Sequence, residues 1–489
     1  MPNYGSGTRL RQLEASKHAI HGSTRASLVV AGIVGAMVTQ FLAIPGAWAK
    51  EDQKVIAATG SPAPKGGNFF RFLSLTMNEH GEVAFDALLL GTSRTGIFAW
   101  DGKATSVIAL GGNSDPASGD FGSVRFPAID SHGSVVFQGD AGLFRGDVTS
   151  IVPIMQDGER APGGGTLVGP PSVFSSNSRG TVVFLTGTAG TDSTQGVFLR
   201  NGDQTVAIAR DNGLSPLGGT FLFFGDPAMG GGRRVAFFAG VTDGSGDFGI
   251  FRADGDEGIA TLFGTNQPAP GGATFLDFSG PVINERGQVA ATALLANGLG
   301  PSGLFRSDGK EIAIIALEGV SAPDGGRFNG FLKPLTINDR GEVAFPARLA
   351  GGTSRGGIFR GDGRTTTTIA LLGTTAPGTT GTFSSFRDMK LADDGTVAFI
   401  ATLTTGVGGV DGTNSMGIWS GTSGSDLRLV VRTSDLIESR TLTSLPSGFG
   451  LFGISERSVA WLGGFAGSSA AIVVSQIGDH EKETGEHER

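Results

Sequence analysis

NDRGEVAF, residues 338–345, is the clearest copy of a short segment that recurs along the chain. It returns as NEHGEVAF at 78–85 and, in weaker form, as NERGQVAA at 284–291. When the copies are aligned on the valine of each segment, successive copies lie 47 to 62 residues apart. The eight aligned valines are Val83, Val135, Val182, Val235, Val289, Val343, Val397 and Val459. A period of this length indicates an array of similar supersecondary units.

Each unit predicts four short strands. In the unit quoted first, a strand at 335–337 ends just before an Asn-x-x-Gly turn, where glycine supplies the positive φ that a tight turn requires. The second strand, 343–349, alternates larger and smaller side chains, and the third covers 357–360. An Asp-Gly turn at 362–363 leads to the fourth, 368–372. No helical period is sustained beyond the N-terminal region, so the units predict an all-β protein.

The number of strands predicts how the array closes. The second, third and fourth strands of the unit each occur eight times. The earliest fourth strand, 54–58, comes before any first strand in the chain. The last unit ends on a third strand, 471–474. In a closed ring the orphan strand completes the last unit, which removes both incomplete ends. We therefore predict an eight-bladed β-propeller of four-stranded blades over residues 50–476, closed by the N-terminal strand pairing into the last blade. An open β-solenoid is the alternative.

The unit resembles the repeat of the bacterial NxxGxxAF tandem-repeat family of exported proteins. Segments 78–85 and 338–345 carry the resemblance, with looser variants at 130–137, 177–184 and 392–399. The turn-and-strand pattern is also similar to that of the Tol-associated periplasmic propellers. The resemblance covers most of the chain beyond residue 50 and implies a propeller-like fold outside the cytoplasm, but no particular activity.

Residues 1–49 have the pattern of a signal peptide. Four basic side chains precede an apolar run at 26–42, and small residues precede an expected cleavage site after Ala49. The alternative is an uncleaved anchor, because 26–48 is long enough to span a bilayer. Both alternatives predict export to the periplasm or the cell exterior. The charged segment 477–489 is expected to be a disordered tail.

Composition excludes several classes of protein. The chain has 489 residues with 83 glycines and no cysteine, which excludes disulfide scaffolds, thiolate metal sites and cysteine nucleophiles. Lysine and arginine total 37 against 45 acids, for a net charge of −8, and this balance argues against nucleic acid as a partner. We expect an unidentified protein or cell-envelope ligand as partner, and no membrane span once the signal peptide is cleaved.

The sequence contains only incomplete catalytic and metal-binding motifs. We therefore assign no catalytic residue, no metal ligand and no cofactor. GTSRG at 352–356 matches Gly-x-Ser-x-Gly, but it lies between two predicted strands and not before a helix. His80 and His132 occupy the same turn position in neighbouring units without a third ligand. The acidic loops at 243–247 and 254–258 offer oxygen ligands for Ca²⁺, yet neither forms a complete calcium loop.

The aromatic residues are predicted to form the core. Six phenylalanines recur at one place in the unit: Phe85, Phe137, Phe184, Phe237, Phe345 and Phe399. Trp419 and Trp461 also stand at phenylalanine positions of the repeat, whereas Trp100 does not. Tyr4, the single tyrosine, lies in the signal region, and this scarcity argues against an aromatic sugar-binding platform.

Function is expected on the loops of one face. The loops that leave the second strands and the loops that follow the fourth strands should open on the same side of a propeller, and loops on a rigid scaffold often carry function. The latter loops carry a recurring Ala-Pro, which should stiffen the connection between blades. The candidate binding residues on this face are Arg94, Asp243, Asp247, Arg355 and Asp411.

Three functional hypotheses follow. The leading one is an exported, non-enzymatic propeller that serves as an interaction scaffold. The alternative is an exported hydrolase or lyase that uses carboxylates converging in the central channel. A Ca²⁺-stabilised structural array is the third.

Overall fold

The computed structural model describes residues 53–91, 94–115, 119–255, 257–323, 325–446 and 450–477. All of them lie within one compact unit, Ile44–Arg489, and every regular element in these ranges is a β-strand. The predicted signal peptide, and the predicted tail beyond residue 477, lie outside the described residues.

The strands form eight antiparallel blades in a ring. After β1 (Gln53–Ala58), blade 1 contains β2 (Asn68–Met77), β3 (Val83–Leu90), β4 (Thr95–Trp100) and β5 (Thr105–Leu110). A small hairpin of β6 (Ser114–Asp115) and β7 (Gly119–Asp120) leads to blade 2, with β8 (Val124–Ile129), β9 (Val135–Gly139), β10 (Gly142–Gly146) and β11 (Ile151–Gln156). Blade 3 contains β12 (Thr166–Ser176), β13 (Val182–Ala189), β14 (Gln195–Asn201) and β15 (Gln204–Arg210). Blade 4 contains β16 (Thr220–Phe224), β17 (Ala228–Met229), β18 (Arg234–Thr242), β19 (Phe248–Asp254) and β20 (Ile259–Gly264).

The remaining blades continue the pattern. Blade 5 contains β21 (Pro268–Ala269), β22 (Ala273–Phe278), β23 (Val282–Ile283), β24 (Val289–Ala296), β25 (Ser302–Ser307) and β26 (Ile312–Leu317). Blade 6 contains β27 (Arg327–Phe331), β28 (Thr336–Ile337), β29 (Val343–Ala350), β30 (Gly356–Gly361) and β31 (Thr366–Leu371). Blade 7 contains β32 (Phe383–Leu391), β33 (Val397–Leu403), β34 (Met416–Gly421) and β35 (Arg428–Arg432). Blade 8 contains β36 (Leu436–Ile437), β37 (Arg440–Ser444), β38 (Phe452–Ile454), β39 (Ser458–Phe465) and β40 (Ser469–Gln476).

The N-terminal strand closes the ring. β1 pairs antiparallel with β40, with Val55 opposite Val473 and Ala58 opposite Ala471. It thereby becomes the outermost strand of blade 8, as the strand count predicts. The fold is an eight-bladed β-propeller, and the prediction of fold class is confirmed.

The first strand of every blade lines the central channel. Near the NxxG turns these strands contact their neighbours all the way round, in the order β2, β8, β12, β17, β23, β28, β32, β38 and back to β2. We call the side that carries the NxxG turns the turn face. The opposite side, with the loops that follow second and fourth strands, is the loop face.

Eight hydrophobic clusters hold the blades together, one at each seam between neighbours. The six predicted core phenylalanines, together with Trp419 and Trp461, are fully buried. In blade 1, Phe85 and Phe98 stack with ring centroids 5.4 Å apart, and Phe69 meets the Phe98 ring edge-on at 4.9 Å. Each such buried ring contributes about 1.5–3 kcal/mol to folding.

The asparagine of the NxxG turn links one blade to the next. Its Nδ2 donates to the backbone carbonyl of the equivalent residue one blade further on. The pairs are Asn78 with Asp130 at 2.8 Å, Asn177 with Gly230 at 2.9 Å, Asn284 with Asn338 at 2.7 Å, and Asn338 with Ala392 at 3.2 Å. The motif therefore makes its own turn and also a polar bond across the seam.

An arginine on the third strand makes a second link between blades. Arg252 donates to the carbonyl of Gly287 in the next blade at 2.7 Å, and Arg306 and Arg360 do the same to Gly341 and Gly395. At Gly341 the backbone φ is +78°, and a Cβ there would stand 2.8 Å from Nη1 of Arg306. Glycine is thus required both by the turn and by the approach of the arginine.

The first strands are longer and less regular than the sequence predicts. In blade 6 the predicted strand 335–337 is only the last part, β28, of a strand that begins at β27 and is interrupted before the turn. Bulges interrupt pairing between first and second strands in the other blades too, for example between Phe69 and Arg71 and between Phe275 and Asp277. A bulge adds a residue without a partner and redirects its side chain.

Candidate functional site at the channel mouth

The bulged first strands carry exposed apolar side chains near the loop face. In blades 1 to 5, one large apolar residue at or beside the bulge is 46–57% exposed. These residues, here called the apolar arc, are Phe70, Phe126, Val168, Leu222 and Leu276. The corresponding exposed residues of blades 6 to 8 are polar: Asn329, Ser384 and Thr443. Blade 6 also exposes Leu332, which is 39% accessible just beyond the bulge, so the rim of the channel is apolar in blades 1 to 5, mixed in blade 6 and polar in blades 7 and 8.

Phe126 in the apolar arc is held in a strained backbone conformation. Its φ is +57°, a region that bulky residues rarely adopt. Its N–H donates to Oδ2 of Asp86 at 3.2 Å, while Oδ1 of Asp86 accepts from the Ser74 backbone at 2.6 Å and from the Ser74 hydroxyl at 2.7 Å. Burial raises the pKa of Asp86, although these hydrogen bonds oppose the shift. Asp86 thus ties the first strands of blades 1 and 2 together and fixes the Phe126 backbone.

Exposed charges lie on the first strands near the bulges. The blades of the apolar arc carry two basic residues, Arg71 and Arg125, and two acidic residues, Asp226 and Asp277; blades 6 and 7 add the basic residues Lys333 and Arg387. This set carries two more positive than negative charges, in a chain whose net charge is −8. The channel mouth at the loop face is therefore more basic than the molecule as a whole.

A cavity of about 500 Å³ lies in the turn-face half of the channel. Its walls come from the first strands of blades 1, 5, 6, 7 and 8, and include Leu75, Thr76, Met77, Val282, Ile283, Leu335, Thr336, Ile337, Lys390, Leu391, Phe452 and Ile454. Lys390 is the single charged side chain among the lining residues that the structure describes. The apolar side chains among these residues also pack into the seam clusters, so polar atoms form more of the accessible cavity surface than apolar atoms do.

Asp388 is the acid on a first strand whose environment is most unusual. Its side chain is buried, Oδ1 accepts from the Met389 backbone at 2.9 Å, and Oδ2 has no hydrogen-bond partner within the described chain. Burial raises the pKa of Asp388, and the charge of Lys390 opposes that shift. Carboxyl groups with raised pKa values are found at active sites more often than elsewhere.

Acidic residues on the turn face form a hydrogen-bonded series that extends from blade 3 to blade 7. The backbone N–H of Glu285 donates to Asp339 at 2.8 Å, and that of Asp339 donates to Asp393 at 2.9 Å. Burial and the negative charge of Asp393 raise the pKa of Asp339. Blade 4 has Gly231 at the equivalent position, and Glu285 reaches across this blade to the N–H of Ser178 at 3.0 Å. These carboxylates are engaged in connecting neighbouring turns.

The five predicted binding residues lie exposed on the loops of the loop face. Arg94, Asp247 and Arg355 stand at equivalent positions of blades 1, 4 and 6, where each backbone carbonyl accepts a hydrogen bond from the second strand. Asp243 has a φ of +58° in the same loop as Asp247. Asp411 accepts from the backbone and hydroxyl of Thr413, which lowers its pKa. Within the described ranges, no hydrogen bond or ion pair joins any two of the five, so their role stays a prediction.

The remaining sequence motifs occupy ordinary structural positions. Ser354 of the GTSRG segment is buried in a loop between two strands, and its hydroxyl donates to the carbonyl of Gly356 at 2.7 Å. His80 and His132 are exposed in their turns. Asp254 pairs with Arg252 at 2.6 Å and with Arg234 at 3.4 Å. In the part of the chain that the structure describes, no group of three or more histidines and acids is placed to hold a metal ion.

Sequence reasoning missed the apolar arc. A sequence pattern marks the position of these residues. A threonine or similar residue is followed by an aromatic residue and then by a large apolar residue, as in Thr220-Phe221-Leu222 and Thr274-Phe275-Leu276. The second apolar residue is exposed only because the bulge withdraws it from pairing.

Within the described ranges, the structure contains no apolar helix of the length that a membrane span requires. The apolar run at 26–42 lies outside those ranges.

Solved structures are only distantly similar to this chain. A puromycin-hydrolyzing peptidase of Mycobacterium tuberculosis is 14% identical over 81% of this chain, with a TM-score of 0.41, and the match spans only 58% of the peptidase. The polysaccharide lyase Uly1 is 8% identical, covering 87% of this chain and 98% of the lyase at a TM-score of 0.37. A gluconolactonase from Xanthomonas campestris is 12% identical, covering 72% and 95% at a TM-score of 0.27. These similarities carry no information about the activity of this chain.

No curated protein matches the sequence. A family profile matches it at residues 31–301 and 294–437, which together extend over most of the chain and seven of the eight blades. The chain belongs to the DUF7453 family, a family of unknown function.

Proposed function

We propose that this protein is an exported, non-enzymatic β-propeller that binds a protein partner at the loop-face mouth of its channel. The apolar arc carries the proposal, because five neighbouring blades each expose a large apolar side chain there. Exposed apolar surface rimmed by polar groups is typical of interaction sites. Arg94, Asp243, Asp247, Arg355 and Asp411 would form the outer, charged part of the same surface.

The charges around the apolar arc specify the chemistry of the partner. Arg71 and Arg125 balance the two acids of the arc blades, and Lys333 and Arg387 in blades 6 and 7 make the mouth as a whole basic, so it favours a partner segment with acidic side chains. The apolar arc favours leucine or aromatic side chains between those acids. The proposed partner is therefore a protein segment that alternates acidic and large apolar residues.

Selection from a displayed library of random twelve-residue peptides tests this function. Recovered peptides should be rich in acidic and large apolar residues, and they should bind at least tenfold more weakly to the double variant Leu222→Asp/Leu276→Asp. Val148→Asp is the matched control, since Val148 is similarly exposed but lies at the other face, beside a turn between third and fourth strands. Recovery of basic peptides, or equal binding to the double variant, would reject the proposal.

Export is proposed on the sequence pattern of residues 1–49. Intact-mass measurement of the protein from the periplasm or medium should give an N-terminus at Lys50. Recovery of the uncut chain in the membrane fraction would instead support the retained anchor.

An exported hydrolase or lyase is the second candidate, and Asp388 is the observation that favours it. This carboxyl lies on a channel strand, has an oxygen without a hydrogen-bond partner and has a raised pKa. Turnover of peptide, glycan or lactone substrates should then be lost in Asp388→Asn and kept in Asp277→Asn. Absence of turnover across the three classes would leave the scaffold as the better account.

A further inference from the structure

We infer that a pocket between blades 2 and 3 is the anchor site for the partner segment, and that it takes one tryptophan or tyrosine side chain with an acidic residue beside it. This inference rests on the proposed function, because it adds a specific contact to the protein-binding surface at the loop-face mouth. The pocket lies at the first strands of the two blades, and Phe126 of the apolar arc is part of its lining.

Bulges on the first strands of both blades contribute the lining of the pocket. Pairing with the second strand is interrupted after Arg125 on β8 and after Val168 on β12. Pro127 and Pro171 lie within these two interruptions, and neither has an N–H that could pair with a neighbouring strand. Because a bulge withdraws residues from the ladder and redirects their side chains, the pocket follows from the backbone of both blades.

The size and surface of the pocket suit one large side chain. Its volume of about 300 Å³ is at the lower end of the range for small-molecule sites. Most of its accessible surface is apolar, and Phe126, Phe174, Pro127 and Val173 contribute to it. Phe126 is half exposed and packs into neither adjacent seam cluster, so its ring is available to a ligand. Aromatic side chains that fill such pockets are common hot spots of protein interfaces.

The strained backbone of Phe126 is a second observation that favours a ligand here. Its φ of +57° is unfavourable for phenylalanine, and Asp86 fixes it by accepting from the Phe126 N–H at 3.2 Å. Glycine would adopt the same conformation without strain. Strained residues of this kind cluster at functional sites. We therefore attribute the exposed phenylalanine at this position to contact with a partner.

Gln138 gives the pocket an oriented hydrogen-bond acceptor. Its Nε2 donates to the carbonyl of Pro171 at 3.1 Å, which settles the orientation of the amide because a carbonyl can accept only from the nitrogen. Oε1 has no hydrogen-bond partner among the residues that the structure describes. It can accept from the N–H of an indole or the O–H of a phenol, and this favours tryptophan or tyrosine over phenylalanine or leucine.

Arg125 supplies the complementary charge at the edge of the pocket. It lies directly opposite Gln138 in the pairing of β8 with β9, and its guanidinium is 5.9 Å from the centroid of the Phe126 ring. Within the described part of the chain it forms no hydrogen bond or ion pair. A carboxylate next to the aromatic residue of the partner can therefore accept from this guanidinium.

Parallel selections from the random twelve-residue library, on the wild-type protein and on Phe126→Gly, test the inference. Peptides recovered on the wild type should share a tryptophan or tyrosine beside an acid, and those recovered on Phe126→Gly should lack it. In synthetic copies of the first group, alanine in place of the aromatic residue should weaken binding about tenfold to the wild type and less than about twofold to Phe126→Gly. Thermal melts check that Phe126→Gly folds, as we expect because glycine suits the positive φ.

Leu222→Ala is the matched control. It shortens another residue of the apolar arc, which lies outside the pocket, so the effect of the alanine substitution in the peptide should remain about tenfold.

Two double-mutant comparisons test the polar contacts. Naphthylalanine in place of tryptophan, or phenylalanine in place of tyrosine, removes the donor and should weaken binding about three- to tenfold to the wild type but not to Gln138→Met. An amide in place of the adjacent acid should weaken binding to the wild type but not to Arg125→Met. Arg387→Met, in blade 7, should behave like the wild type.

The outcomes distinguish the pocket from the proposed function. If acidic and apolar peptides bind but lose equal affinity on alanine substitution with the wild type and with Phe126→Gly, the pocket is rejected and the proposed function stands. If no such peptides are recovered, the proposed function is rejected and the anchor site with it.

Discussion

Asn338 illustrates how one buried side chain supports both a turn and a seam. Its Oδ1 accepts from the backbone of Arg340 and Glu342, at 3.1 and 2.9 Å. Its Nδ2 donates to the Glu342 carboxylate at 2.8 Å and to the carbonyl of Ala392 in the next blade at 3.2 Å. Only an amide has both donors and an acceptor, which explains asparagine at this place.

Asn338→Asp should therefore destabilise the protein strongly. The carboxylate keeps the acceptor but loses both donors and faces the charge of Glu342, so we expect a loss of about 2–3 kcal/mol in the free energy of unfolding. Urea denaturation measures it. Asn329→Asp, at an exposed position of a first strand, is the control and should change stability by less than about 0.5 kcal/mol. Equal effects of the two changes would contradict a role for the cross-seam bond.

The raised pKa of Asp388 predicts that the effect of this residue on the free energy of unfolding depends on pH. Because burial raises its pKa above the ordinary 3.8, the folded state holds this proton more tightly than the unfolded state. At neutral pH the ionised group therefore costs stability, and Asp388→Asn should raise the free energy of unfolding by about 1–2 kcal/mol. The gain should shrink as pH falls through the raised pKa towards 3.8, where the wild-type carboxyl becomes protonated.

Thermal melts of both proteins from pH 8 to pH 4 measure the effect. Asp411→Asn should show the opposite sign, because hydrogen bonds from Thr413 lower the pKa of Asp411 and its ionised form supports the fold above the ordinary pKa. A gain in Asp388→Asn that does not depend on pH would contradict the assignment.

At the scale of the element, the third strand connects each blade to its neighbour through its arginine. Arg306→Met keeps much of the side-chain volume but removes the bond to the Gly341 carbonyl, so we expect a loss of about 1.5–3 kcal/mol. Arg348→Met, at an exposed position on the second strand of the next blade, should be nearly neutral. Differential scanning calorimetry compares them, and similar melting temperatures for both variants would refute the link.

Sequence reasoning located the second, third and fourth strands better than the first. In blade 6, β29, β30 and β31 begin and end within about two residues of the predicted limits. Glycine turns and alternation define these strands, since both are local properties. The first strand follows no such pattern, because bulges interrupt its pairing with the second strand. The position of a bulge depends on how the strand curves along the channel, which is not a local property of the sequence.

At the scale of the whole molecule, the ring depends on β1. A variant that lacks residues 1–58 should melt well below the wild type and self-associate, because the removal exposes the unpaired edge of β40 and takes Ala57 and Ala58 from two seam clusters. Sedimentation and thermal melts measure this. A synthetic peptide of residues 53–60 should restore the melting temperature in a concentration-dependent way, whereas a scrambled peptide should not. A truncated protein that melts like the wild type would show that closure adds nothing.

Ring closure was predictable from strand order, but the channel was not. When the strands of each kind are counted, β1 is left over as a fourth strand without a blade. Blade 8 is the blade that lacks a fourth strand, so β40 is the partner that remains for β1. Lys390 and Thr336 lie 54 residues apart in the chain, and both line the cavity because the ring brings the first strands of blades 6 and 7 together. No local pattern in the sequence marks either residue as part of the cavity lining.

The pairing of β1 with β40 also sets an order of events during biosynthesis. β1 is among the first segments of the propeller to be made, yet its partner is completed only when residue 476 has been added. Blades 1 to 7 can assemble as they emerge, while β1 remains without its partner strand until the end. For a chain that is threaded across a membrane from its N-terminus, the ring can close only on the far side, after translocation of all eight blades.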